Sequence, residues 1–281
     1  MDWDQPSDPN DLYNENWEHS YIFDVTDFAP LLRDSSLIRV HYSGWSSGFS
    51  ASVDFDFIEG TPPREVLSIE NFAPVGGYSY QSLADDQNFQ PITKLFNEYV
   101  EGVAVKSYVS GHGHEGPESC CEWVSKQHRL SINGDDIYQW DVWKDCGMIP
   151  IYPQGGTWPF DRAGWCPGMD VKQWSHDITT WINTSGGTNN MQYRGLYTGV
   201  DYQPVNDDGG GSQRIEVASW IVYYENSSGG MTITSQNTES DCDKKNTLES
   251  FFSESKMFQS NFQSHPDSSD ILMIERRGHF Q

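Results

Sequence analysis

Apolar and polar residues alternate with a period of two in several short stretches, which predicts strands rather than helices. Val53-Asp54-Phe55-Asp56-Phe57 puts aromatics on one side and carboxylates on the other. Leu37–Tyr42 is short and rich in β-formers. Arg129-Leu130-Ser131-Ile132 runs into Asn133-Gly134, a strong hairpin turn signal. Ile215–Tyr223 reads as a long late strand, buried on at least one face. Helical signals are few: one turn over Phe28–Leu32 capped by Thr26, and a short helix over Pro91–Val100. Strands separated by Gly, Pro, Asn and Asp clusters predict a sandwich or jelly roll. Breaks are expected at Gly60–Arg64 and near Pro74–Gly77. The chain therefore divides into a first unit at 1–75, a second at 76–230, and a Ser/Gln/Asn-rich tail at 231–281 that reads as disordered.

Charge narrows the partners. The 281 residues carry 17 basic and 41 acidic side chains, a net charge of −24. Such a surface repels phosphate backbones and anionic lipid, so neither nucleic acid nor membrane is expected as a partner. No stretch approaches the ~20 apolar residues of a membrane helix. Met1–Pro6 lacks the basic and apolar regions of a signal peptide. That start suits an intracellular protein, or a chain that has lost its original beginning. The aromatic content, 14%, suits both cross-strand pairs and sugar-stacking surfaces. Cysteine is present at 120, 121, 146, 166 and 242, an odd count with no C-x-x-C pair to signal zinc. Asn183-Thr184-Ser185 and Asn226-Ser227-Ser228 are sequons whose meaning depends on the compartment.

Candidate chemistry concentrates between residues 109 and 170, where His, Glu, Arg, Trp and Gly crowd long loops. Ser110-Gly111-His112-Gly113-His114 precedes Cys120-Cys121-Glu122-Trp123 and His128. Cys146, Met148–Ile151 and the block Asp161-Arg162-Ala163-Gly164-Trp165-Cys166-Pro167-Gly168 follow. Upstream stand Asp24–Phe28, Trp45, Ser52–Asp56 and Gly60-Thr61-Pro62. In this order and spacing, over roughly residues 20–228, the chain resembles the peptide-N-glycosidase F family.

The resemblance implies an all-β fold of two side-by-side antiparallel jelly-roll sandwiches, the first incomplete here, with the site at their interface. It implies hydrolysis of the amide joining an N-glycan to asparagine. Amide hydrolysis needs an activated water, a stabilised oxyanion and a proton for the leaving amine. By resemblance, Glu122 matches the family's second-unit glutamate, which would orient water or the amide, and Arg162 its arginine, which would hold the acetamido or oxyanion region. Trp45 matches a tryptophan beside the sugar site, and His112 stands where the family has another. Trp158 is expected as a further stacking platform. The family's first-unit acid has a remnant in Trp3-Asp4-Gln5, which makes Asp4 a candidate catalytic residue. Its first-unit glutamate falls on Ser43. Cys146 and Cys166 match a paired couple, whose disulfide would stabilise the loop by on the order of 3 kcal/mol. No cofactor and no metal is implied. The partners implied are N-glycosylated proteins or peptides, the localisation is extracellular, and the protein is expected to be a monomer.

Two other readings stay open. One is a glycan-binding module without turnover. The other is a copper-dependent monooxygenase-like protein on a similar jelly roll. His-x-His on a strand points both rings the same way, so His112 and His114, with His128 and Met148, are candidate ligands for it.

Overall fold

The structure, a computed structural model, describes residues 19–33, 36–40, 52–79, 88–96, 100–113, 121–149, 156–197, 200–201, 214–225 and 272–275. Asp4, Trp45, Ser43, His114, Cys120 and Cys242 lie outside these residues.

The strands are β1 (Leu37–Val40), β2 (Glu65–Ser79), β3 (Ile92–Leu95), β4 (Gly102–His112), β5 (Lys126–Ile132), β6 (Asp135–Val142), β7 (Gln173–Asp177), β8 (Thr188–Tyr197), β9 (Val200–Asp201), β10 (Arg214–Glu225) and β11 (Leu272–Glu275). One sheet has the order β2-β10-β4-β7, and the other β3-β8-β5-β6 with β9 on β8. Every pairing is antiparallel. The chain passes from sheet to sheet at β2→β3, β3→β4, β4→β5, β6→β7, β7→β8 and β9→β10, which is jelly-roll topology. The described residues thus hold one complete jelly roll, from Glu65 to Glu225. Separately, β1 pairs with β11 of the expected tail.

Local chemistry explains most of these elements. Asn133 (φ 54°) and Gly134 (φ 93°) both take positive φ, which makes the tight β5–β6 hairpin. The Asn133 side chain then accepts the Asn190 N–H at 2.9 Å and ties the hairpin to β8. In β5, buried residues alternate strictly, so His128, Leu130 and Ile132 face the core. β10 is the late strand expected from sequence, lying between β2 and β4. It and β4 are buried on both faces. Their inner residues join a large core with Leu130, Ile132, Met191 and Tyr193. Their outer residues Ala104, Val222 and Tyr224 cluster with Val66.

The outer face is covered by a 3-10 turn at Thr26–Leu32. Phe28 is buried there, edge-on to Trp220 with ring centroids 5.3 Å apart. Asp27 accepts the Tyr224 hydroxyl at 3.0 Å and pairs with Lys106. The turn begins after Val25 and has no side-chain cap; Thr26 instead bonds Asp24 at 2.6 Å.

Three expectations need revision. The helix expected over Pro91–Val100 is strand β3 for Ile92–Leu95, because a free sheet edge on β8 takes its backbone groups. Its alternate residues point in and out, and Phe96 beyond it is fully buried. Val53–Phe57 pairs with no described strand, although Phe55 and Phe57 share one side with rings stacked at 6.5 Å. The break expected near residue 75 falls inside β2. There Gly76 and Gly77 pair with Val217 and Glu216 beside a register shift, so the glycines mark an irregularity in a continuing strand.

Buried histidine makes this core sensitive to acid. Burial pushes His128 from its ordinary 6.5 down to about 3. Its Nδ1 bonds the Tyr193 hydroxyl, while Nε2 has no hydrogen-bond partner among the described residues. Below pH 6.5 the unfolded chain takes up a proton that folded His128 refuses, so stability falls with pH down to about 3. At about pH 4.5 the loss is roughly 3 kcal/mol for this residue. Urea midpoints between about pH 7.5 and 4.5 should fall less steeply in His128→Gln than in the parent chain; equal slopes contradict this account.

Candidate active site

Three backbone segments meet at the end of β4. The N–H groups of Cys121 and Glu122 both donate to Gly113 O at 2.9 Å. Ala163 N–H donates to Glu122 O at 2.8 Å, and Gly111 N–H to Ala163 O at 2.9 Å. Residues 162–164 are thereby held between β4 and the 121–123 loop. The fit leaves no room for side chains. A Cβ on Gly111 would lie 1.9 Å from Cys121 O. One on Gly164, which has φ +80°, would lie 2.5 Å from Val109 O.

Arg162 fills the space beneath, with its side chain 2% exposed. Nη1 donates to Glu122 Oε1 at 3.0 Å and Nη2 to Thr157 O at 2.5 Å. Nε donates to Phe160 O at 3.2 Å. The guanidinium carbon lies 4.4 Å from the Trp123 ring centroid and 4.6 Å from that of Trp165. Two aromatic faces, a carboxylate and two carbonyls thus replace the water lost on burial. The Glu122 side chain keeps 14% of its surface exposed. Asp161 does not pair with its neighbour; its Oδ1 accepts the Cys146 N–H at 2.8 Å.

His112 stacks on Trp165 at 5.0 Å, and its Nε2 meets Ser110 Oγ at 2.9 Å. Burial first, then the nearby charges of Arg214 and Arg162, bring its pKa down to about 3. It is therefore a neutral imidazole at neutral pH. Trp165 Nε1 donates to Gly111 O at 2.8 Å.

The structure thus brings Glu122 and Arg162 together and places His112 one ring away. Trp158 belongs to a neighbouring cluster. It packs, half-buried, on the disulfide Cys146–Cys166 with Ile149 and Met169. Trp123, Trp165, Thr157 and Phe160 were not singled out from sequence. Trp123 adjoins Glu122, and Trp165 lies three residues beyond Arg162, which was the available signal. Among the described residues no group of three or more His, Cys, Asp or Glu could hold a metal. His128 lies in the core against Trp140 and Tyr193, and Met148 is 95% exposed. Also among the described residues, no helix is long and apolar enough to cross a membrane.

The family model described as Peptide-N-glycosidase F, C terminal, matches residues 79–222, just over half of the chain. The chain belongs to the peptide-N-glycosidase F family. The matched region contains β3–β9, most of β10 and the whole Glu122–Arg162 cluster. A curated family relative is the Peptide-N(4)-(N-acetyl-beta-D-glucosaminyl)asparagine amidase F of Elizabethkingia miricola. It is 32% identical over 164 residues, covering 53% of this chain and 45% of the relative. The chain thus spans about half the length of the curated relative it matches. A solved structure of PNGase F, a glycosylasparaginase from Flavobacterium meningosepticum, is 23% identical. It covers 60% of this chain and 55% of that one, with a TM-score of 0.45. A crystal structure of peptide-N(4)-(N-acetyl-beta-D-glucosaminyl) asparagine amidase is 22% identical with the same coverage and a TM-score of 0.47.

Two stability predictions follow from this geometry. Arg162→Met leaves Glu122 without its buried partner and should cost about 3–5 kcal/mol by urea denaturation. A loss under about 1 kcal/mol would show the pair to be solvent-screened. The Cys146–Cys166 bond, with its sequence separation of 20, should contribute about 3 kcal/mol. The Cys146→Ser/Cys166→Ser double variant should therefore melt several degrees lower than the oxidised parent.

Proposed function

We propose that this chain acts on N-glycosylated proteins as a peptide-N-glycosidase-type amidase, with Glu122 as the carboxylate that meets the scissile region. The observation that carries this reading is the Glu122–Arg162 ion pair, buried inside the family-matched region between two tryptophans. A partly exposed carboxylate held by a buried arginine is fixed in direction before substrate arrives. That is what general acid–base or water-orienting chemistry requires. Arg162 spends its donors on Glu122, Thr157 and Phe160. Its role in this reading is to position Glu122 rather than to grip the acetamido group. Neutral His112 supports the same wall through Trp165. A second acid would come from the N-terminal unit, for which Asp4 is the candidate, and Trp45 would stack a sugar. The setting would be extracellular and the protein a monomer.

A second reading has one observation in its favour. Trp123 and Phe160 stand edge-on beside Glu122, with Phe160 59% exposed. Aromatic faces at a site suit glycan binding without turnover.

Incubation with a denatured glycoprotein tests both. The parent chain should release glycan and shift the protein on a gel, and Glu122→Gln should be at least ~100-fold slower. Equal rates would remove Glu122 from catalysis. Sugar binding without any release would identify the binding module.

A further inference from the structure

Phe160 is a large aromatic left 59% exposed at the edge of this cluster. Its surroundings hold it in place. Its N–H donates to Thr157 O at 3.1 Å, closing a tight turn. Its own carbonyl accepts Arg162 Nε at 3.2 Å. Its ring stands edge-on to Trp123, with centroids 6.3 Å apart and planes at 76°. Trp123 in turn lies over the same guanidinium that holds Glu122. A fixed apolar ring, a half-buried tryptophan and a carboxylate oxygen therefore share one rim. Trp158, two residues earlier, packs against the disulfide.

Resting on the glycan reading above, we infer that Phe160 is a specificity-determining contact that stacks on a pyranose ring of the glycan. The occupant follows from the mixed chemistry of the rim. A pyranose presents a C–H face to an aromatic ring and hydroxyls at its edge to a carboxylate acceptor. An extended peptide would instead seek backbone donors and acceptors along a free sheet edge. Because the turn is clamped through Arg162, the ring is ordered before binding, and little side-chain entropy is lost on contact.

The test is titration of the full chain with N,N′-diacetylchitobiose, followed by calorimetry or by tryptophan fluorescence. Phe160→Ala and Phe160→Leu should each weaken binding about tenfold, and Phe160→Tyr should stay within about twofold of the parent. Melting temperatures should be unchanged, since the ring is exposed. Phe160→Ala binding the sugar as tightly as the parent overturns the inference while leaving the glycan reading intact. A loss of affinity for an unglycosylated peptide, with sugar affinity unchanged, also overturns it. If the parent chain binds no sugar, the glycan reading falls, and the role of Phe160 falls with it.

Discussion

A guanidinium with 2% of its surface exposed has to find inside the protein everything that water would give it. That requirement shapes the whole end of the sandwich. Arg162 draws Glu122 from one loop, Thr157 and Phe160 from another, and tryptophan faces from both. Removing any one partner leaves a polar group unsatisfied, so the loops are fixed as a set. The disulfide behind them acts differently. It limits the unfolded loop, whereas the arginine orders the folded one.

The jelly roll supplies the platform for this. β4 is central in its sheet and buried on both faces. Its last residues are consequently among the best-anchored positions from which a loop can hang. The seams of the sandwich are closed as well. Tyr138 of β6 donates to Asp177 O of β7 at 2.7 Å, and Lys94 of β3 pairs with Glu70 of β2 at 2.8 Å. The 3-10 turn at Thr26–Leu32 covers the outer face and explains why β10 reads as an almost unbroken apolar run.

Sequence disclosed what short-range chemistry decides. Asn133-Gly134 gave the hairpin because both residues tolerate positive φ. Period-two alternation gave β5, and Glu122, Arg162 and the Cys146–Cys166 pair followed from motif resemblance. It did not disclose what neighbours decide. The stretch after Pro91 has helical spacing, but the open edge of β8 makes it a strand. Two glycines read as a break became an irregularity inside β2, since β10 pairs on both sides of them. Trp158 and Phe160 lie two residues apart in one aromatic-rich loop, and only the turn at Thr157 sends one to the disulfide and the other to the rim.

The close stacking of Gly111 and Gly164 against neighbouring backbone bears on how such a site can change over time. Neither position accepts even a methyl group. The floor of the site is therefore closed to variation, because any larger residue there pushes β4 and the packed loops apart before it alters the chemistry. Novelty has to enter at the rim, where a side chain projects into solvent and its replacement leaves the folded frame untouched. The fold thus divides its residues into a part that must be inherited whole and a part free to drift.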